Sequence, residues 1–463
     1  MTNEGNPATP GTVAADTVAA ELAEQGVVGI TIVWADNNGV PRSRTVPVRS
    51  LASAAERGVG ITPLFAVFDS HDAITFDHQP LSTPSGDIRL IPEVRRLVRL
   101  AGQPGFAWVP GRQVASDGSP WPYDQRGVLE RQVARAEAMG IGCLAGYELE
   151  FQLSWHEDNT DELHFVHTGP SYGPARTLAV DEFAEQLLDD LEANGVQVNQ
   201  FHGEYGPGQY ELSIVPADPV TAADHQLLAR QTIHAAARSH GLRASFAPLL
   251  EQGSVGNGWH LHTSVSRNGA NLLSGGTGHQ GLTADGAAYL AGLLRDLPAI
   301  VAVSAPSLCS LQRLRPGYWS GAYTFWGVEN REAALRLVPS TPLLGANHAN
   351  IELKPSDASA NPYLALAAVL AAGLSGIEDG LEPPEPVQQD PGTWTEERRA
   401  AHGIAPLPRT VDEQLDALLD NKRIRLALGE EMADVFRAVR RSDEARAADR
   451  DIAEVIKTYR WLY

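Results

Sequence analysis

The chain is predicted to be an α+β protein built on a curved antiparallel sheet or open barrel with helices. Three observations predict it. From about residue 28 to residue 120, short β-rich runs alternate with Pro and Gly turns and little helix. Beyond residue 122, strands and helices alternate instead. The later strands each pair an apolar face with a face carrying ionisable groups, so one polar face shared by many strands curves around a common channel.

The elements follow in chain order. Residues 1–15 form a Gly-, Pro-, Thr- and Asn-rich tail, read as disordered. Thr17–Gln25 reads as a short helix, Val28–Trp34 as a strand, Asp36-Asn37-Asn38-Gly39 as a hairpin turn and Arg42–Val48 as the returning strand. Trp121-Pro122-Tyr123-Asp124 reads as a linker, which puts one domain at 16–122 and a second at 123–463. Helices are expected over Val128–Met139, Asp181–Asn194, Val220–His240, Asp285–Ile300, Pro362–Gly376 and Val411–Leu428, several stopped by glycine. Gly380–Leu407 is Pro-rich and reads as a surface excursion.

Bulk properties exclude several function classes. The net charge of −21 over 463 residues argues against nonspecific nucleic-acid binding and against an anionic membrane surface. Two cysteines, Cys143 and Cys309, make neither a disulfide framework nor a thiolate metal site. No cationic region precedes an apolar one at the N-terminus, and the apolar run Leu364–Leu374 is too short to span a bilayer. A soluble cytoplasmic protein is expected.

The chemistry starts at Leu144–Leu153, LAGYELEFQL. Tyr147, Leu149, Phe151 and Leu153 share one face, and Glu148 and Glu150 share the other, roughly 7 Å apart along the strand. Two such carboxylates among apolar neighbours are costly to desolvate without a cation between them. The pattern recurs. Glu211 opposes Tyr210 and Leu212, His260, His262 and Ser264 oppose Trp259, Leu261 and Val265, Arg336 opposes Leu335 and Leu337, and Glu352 and Lys354 oppose Ile351 and Leu353. Glu148, Glu150, Glu204, Glu211, His260 and Glu352 form the candidate ligand set. Carboxylates with one imidazole suit Mg²⁺ or Mn²⁺ rather than Zn²⁺, and so much negative charge calls for two or three such ions. Arg313, Arg331 and Arg336 lie nearby in the chain. Acidic metal sites with several arginines describe phosphoryl transfer, although neither a Walker loop nor a kinase signature is present.

In order and spacing these pieces resemble the glutamine synthetase family, from about residue 16 onward. GYELEF at 146–151 resembles its G-x-E-x-E-F strand, and Glu204-Tyr-Gly-Pro-Gly-Gln-Tyr-Glu211 its E-x-x-P-G-Q-x-E segment. Gly258–Ser264 resembles G-x-H-x-H-x-S, and Arg313-Leu-Arg-Pro-Gly317, Asn330-Arg331 and Arg336 its arginine elements. Ile351–Lys354 and Asn361-Pro-Tyr-Leu364 resemble E-x-R and N-P-Y-L. The resemblance implies an N-terminal β-grasp domain, a C-terminal catalytic domain, and a dodecamer of two stacked hexameric rings. It implies that ATP phosphorylates the γ-carboxylate of L-glutamate and that an amine then attacks the γ-glutamyl phosphate. Glu150, Glu204 and Glu211 match ligands of one metal, and Glu148, His260 and Glu352 those of a second. Gly256 and Arg313 match glutamate-holding positions and Arg331 a phosphate-binding one. His262, Ser264 and Arg336 match the ATP site, and Lys354 a position by glutamate and phosphate.

The departures bear on substrate. Trp319 stands where ammonia-using members carry a flap glutamate, and Asp69 is only an ambiguous match to the ammonium-binding aspartate. An apolar or cation–π wall suits a small organic amine better than ammonium. A γ-glutamylamide synthetase is therefore expected, with ethanolamine as the amine because the replacement is bulky and uncharged. The alternatives are a γ-glutamylpolyamine synthetase, a true glutamine synthetase, and a catalytically weak family member with a regulatory role. Lys354 and Asn350 replace family arginines, Cys309, Leu311 and Gln312 replace N-S-Y-K, Leu249-Leu250 replaces K-P, and Val255 replaces an Asn. No tyrosine occurs between Tyr363 and Tyr459, so control by adenylylation is not expected.

Overall fold

The computed structural model describes residues 10–157 and 160–463. Residues 1–9 of the expected tail lie outside the described residues. The first helix, α1, already starts at Pro10 and runs to Glu24, seven residues ahead of the expected Thr17 start.

The first sheet has six strands: β1 (Gly29–Ala35), β2 (Pro41–Pro47), β3 (Val59–Ile61), β4 (Ile88–Pro92), β5 (Val98–Arg99) and β6 (Phe106–Ala115). Their order is β2-β1-β6-β4-β3, with β5 on β6 and the central β1–β6 pair parallel. Helix α2 (Leu51–Arg57) packs beside them. The β1–β2 turn is the expected hairpin, but it is buried. Asp36 Oδ1 accepts the N–H groups of Asn38 and Val40. Gly39 has φ +69°, and a Cβ there would lie 2.3 Å from the Ala360 carbonyl oxygen. The turn is thus plugged into the second half of the chain.

The second sheet has nine strands: β7 (Gly142–Trp155), β8 (Val198–Gly203), β9 (Gln209–Ile214), β10 (Leu242–Ser245), β11 (Leu261–Arg267), β12 (Ala270–Asn271), β13 (Trp326–Val328), β14 (Leu335–Val338) and β15 (Asn350–Leu353). The order is β13-β14-β15-β11-β7-β9-β8, antiparallel except for β13–β14. The alternation read from sequence holds: Tyr147, Leu149, Phe151 and Leu153 are buried in the core, and the ionisable groups face the other way.

Helices cover the apolar face. They are α3 (Gln125–Ala138), α4 (Pro174–Leu178), α5 (Asp181–Ala193), α6 (Pro219–Ser239), α7 (Ala284–Ser304), α8 (Leu308–Arg313) and α9 (Pro362–Asp379), followed by α10 (Glu396–Ala401), α11 (Val411–Asp420), α12 (Lys422–Leu428), α13 (Glu430–Ala447) and α14 (Ile452–Tyr459). The segment read as a linker is packed instead: Tyr123 is buried and Asp124 caps α3 through Gly127 N–H. The expected Val411–Leu428 helix is two helices, because Asn421 leaves the helical conformation and caps the second one. The Gly380–Leu407 excursion carries the short α10.

Helix α9 runs through the centre and is buried from Pro362 to Gly376. Asn361 Oδ1 caps it, and Asn361 Nδ2 donates to the Ala35 and Asp36 carbonyls, so one side chain starts the central helix and fixes the β1–β2 turn. Helix α7 lies against it at Gly292 and Gly376, where a Cβ on either residue would overlap the other helix. Although α7 is long and apolar enough to cross a membrane, most of it is buried in the core.

Candidate active site

Strand register builds the site. Glu148 and Glu150 project from the middle of β7, and Glu150 pairs directly with Glu211 on β9. On the other side of β7 the ladder continues into the β11 segment, with Glu148 N–H donating to His260 O and Glu150 N–H to Gly258 O. His262 pairs with Glu352 on β15, and Glu352 in turn with Arg336 on β14. Five strands thus deliver their ionisable faces to one place.

His260 sits at the centre. Its Nδ1 is 3.1 Å from Glu148 Oε2 and 3.4 Å from Glu352 Oε1, and its Nε2 is 3.6 Å from Glu150 Oε1. Ligand atoms of Glu148, His260 and Glu352 all fall within 4.8 Å of one another, as do those of Glu150, Glu211 and His260, and those of His202, Glu204 and Glu211. All six expected ligands are therefore brought together. The grouping differs in one respect: Glu204 joins Glu211 and His202, while Glu150 joins Glu211 and His260, so Glu211 is shared.

The charges are unevenly balanced. Burial opposes ionisation of Glu148, but its contacts with His260 and His262 outweigh it and hold the carboxyl far below the usual range. Burial likewise opposes Glu352, and Lys354, His262 and His260 overcome it. Glu211 has only a weaker contribution from Lys354. Burial, then the charges of Glu148, Glu150 and Glu204, push its carboxyl well above the usual range. A buried oxygen donor set that repels itself in this way fits hard divalent cations.

The remaining expected residues divide. Arg336 Nη1 is 2.9 Å from Glu352 Oε2, and Lys354 Nζ is 3.0 Å from Glu352 Oε1, so both cations expected at nucleotide or phosphate lie on a candidate metal ligand. His262 Nδ1 lies 2.8 Å from Asn350 Oδ1 and its Nε2 lies 3.3 Å from Glu148 Oε1, so Asn350 now positions an imidazole. Burial opposes the charged form of His262, but its contact with Glu148 raises it to about 9. Arg313 is buried, donates to Ser356 O at 2.8 Å, and packs so closely on Gly256 that a Cβ there would lie 2.6 Å from Arg313 Cγ. Ser264 stands further along β11, opposite Leu144. Arg331 is exposed and takes part in none of the contacts that join the cluster. Trp319 is 52% exposed, and its backbone N–H donates to Glu332 Oε1 over 3.3 Å.

Sequence reasoning missed several residues. His202 lies directly opposite Glu211 and 3.2 Å from Glu204, a contact that raises its imidazole. Alternation along β8 would have found it, since His202 and Glu204 are two residues apart. Gln209 Nε2 donates to Glu150, Gly256 and Asn257, tying the loop before β11 to the cluster. Tyr172 stacks on His202 and reaches Glu204. Asp69, the ambiguous ammonium ligand, is fully buried and held by Arg446 at 2.9 Å and Ser442 at 3.1 Å.

A model of the glutamine synthetase catalytic domain matches residues 122–459. The chain belongs to the glutamine synthetase family. A Streptomyces coelicolor protein described as "Gamma-glutamylpolyamine synthetase GlnA3" is 44% identical over 97% of this chain and 96% of its own. The glutamine synthetase of Pyrococcus horikoshii is 32% identical over 86% of each chain. Among solved structures, "Crystal structure of novel glutamine synthase homolog" superposes with a TM-score of 0.84 at 32% identity, covering 94% of this chain and 99% of that one. "Apo GmaS without ligand" gives 0.81 at 26% identity, covering 94% and 97%. As a member of this family the chain is an ATP-dependent ligase that joins L-glutamate to an amine nitrogen and uses a divalent metal. The curved sheet with its helical cover is the family's fold.

Proposed function

We propose that this ligase is a γ-glutamylpolyamine synthetase. The observation that carries the reading is the state of the two positions expected to hold ammonium. The flap position is Trp319, an exposed ring without charge, and the Asp69 carboxylate is spent on Arg446 and Ser442. A small cation has no concentrated negative charge to find there, whereas a long amine gains area and cation–π contact from an indole. The relative described as a γ-glutamylpolyamine synthetase supports the choice of a polyamine over ethanolamine, the amine favoured from sequence. Convergence of all six ligand candidates speaks against a purely regulatory member.

In this reading Glu150, Glu204 and Glu211, with His260 between them and Glu148 and Glu352, would hold two or three Mg²⁺ or Mn²⁺ ions. Bound there, such ions would neutralise phosphate oxygens and polarise the transferring phosphoryl group. Arg313 and the Gly256 backbone orient glutamate. Arg331, free of the cluster, would meet phosphate, and Lys354 and Arg336 would turn from Glu352 toward ATP oxygens. His262 and Ser264 line the nucleotide side. Phosphorylation of the γ-carboxylate makes it an acyl phosphate, and Trp319 walls the space from which a neutral amine attacks it. Residues 16–122 and 123–463 act as two domains, and the assembly in this reading is a dodecamer of two hexameric rings.

Phosphate release with ATP, glutamate and a panel of ammonium, ethanolamine, putrescine, spermidine and an aromatic amine tests the reading. Putrescine or spermidine should give the highest kcat/KM. Preference for ethanolamine or ammonium would refute it.

A further inference from the structure

The flap has lost a carboxylate, yet one lies directly beneath it. Trp319 has φ +53°, a strained conformation for a bulky aromatic residue. The strain is held in place by the bond from Trp319 N–H to Glu332 Oε1 and by Ser320 Oγ, which accepts Arg315 N–H at 3.1 Å. Glu332 is half-buried, and among the described residues no cation pairs with its carboxylate. Two nearby cations are committed elsewhere, Lys354 to Glu352 and Arg315 to the Tyr318 ring, 4.4 Å from its centroid, and the neighbouring Arg331 is exposed and makes no ion pair with Glu332.

Glu332 also stands at the edge of the cluster. Ala334, two residues on, accepts the backbone N–H of Lys354 at 3.0 Å. Asp390 is a second carboxylate whose charge reaches Glu332, and its loop packs on the flap at Gly392, where a Cβ would be 3.1 Å from Pro316 Cβ. The mouth of the site thus offers an indole face with two carboxylates beside it, neither of them ion-paired among the described residues.

We propose that Glu332 is the specificity-determining carboxylate of the amine site, pairing with an ammonium group of a di- or polyamine other than the one that reacts. This rests on the polyamine reading above. The attacking nitrogen must be neutral, so a substrate held by charge needs a second cation, which ammonium and monoamines lack. Trp319 lies along the methylene chain while Glu332 fixes the distal charge.

The test compares putrescine with n-butylamine, which has the same four-carbon chain and one charge fewer. Glu332→Gln keeps an oxygen for the Trp319 N–H and removes only the charge, and Glu332→Ala removes both. The wild-type enzyme should prefer putrescine. In the Gln variant the putrescine/n-butylamine ratio of kcat/KM should fall about tenfold or more, through the putrescine KM. A Gln variant that keeps the wild-type ratio, with only the Ala variant impaired, would reduce Glu332 to a latch and overturn the inference alone. A wild-type enzyme without preference for the diamine would instead sink the polyamine reading, and this inference with it.

Discussion

Glu150 and Glu211 face each other directly across antiparallel strands β7 and β9, two carboxylates paired in register. Like charges so placed destabilise a sheet, and burial raises the cost. The sheet carries this repulsion because the same geometry makes a cation site.

The first prediction follows from that repulsion. With a chelator present, Glu211→Gln should be more stable than wild type by about 1 kcal/mol. Added Mn²⁺ should raise the melting temperature of wild type more than that of the variant, which keeps only the site at Glu148, His260 and Glu352 intact. Thermal unfolding with and without Mn²⁺ measures both effects.

A second prediction concerns the contact between Asp69 and Arg446, which are far apart in sequence. Burial alone would raise the Asp69 carboxyl, but the Arg446 bond and the N–H groups of His71 and Ala73 lower it below its ordinary 3.8. The stability it contributes is therefore complete above about pH 4 and lost as pH falls through the lowered value. Asp69→Asn should cost about 2–4 kcal/mol at pH 7. Urea midpoints of wild type and variant should converge below pH 4.

Gly256→Ala should act through Arg313. The new Cβ would lie 2.3 Å from Pro248 O and 2.6 Å from Arg313 Cγ, so the guanidinium must move. A misplaced orienting group costs roughly 10²-fold in kcat/KM. Steady-state kinetics should show the loss chiefly in the glutamate KM, with circular dichroism unchanged.

Trp319→Glu restores an acidic flap. Phosphate release with ammonium should rise relative to putrescine. An unchanged amine profile would show that the flap does not select.

Much of the fold was legible because period-two alternation reports directly on a sheet with one polar face. Glu148, Glu150, Glu211, His260 and Glu352 stood out for that reason, and β-strand register then brought them together. Other features depend on pairings that alternation does not encode. The latch from Asp69 to α13 joins residues 377 apart in sequence. The place of Glu332 under the flap follows from how Asn330–Ala333 turns, and no periodicity marks it. The commitment of Arg336 to Glu352 likewise depends on strand pairing. Helix ends erred where local chemistry was ambiguous: Asn421 can sit inside a helix or cap one, and here it caps.

The central claim is that six side chains from separate parts of the chain converge on divalent cations. The anomalous-scattering map of a crystal grown with Mn²⁺ and a non-hydrolysable ATP analogue tests it most directly. Peaks should appear between Glu148, His260 and Glu352 and beside Glu150, Glu204 and Glu211. A map in which manganese binds elsewhere, or nowhere, while the nucleotide is bound would contradict the account.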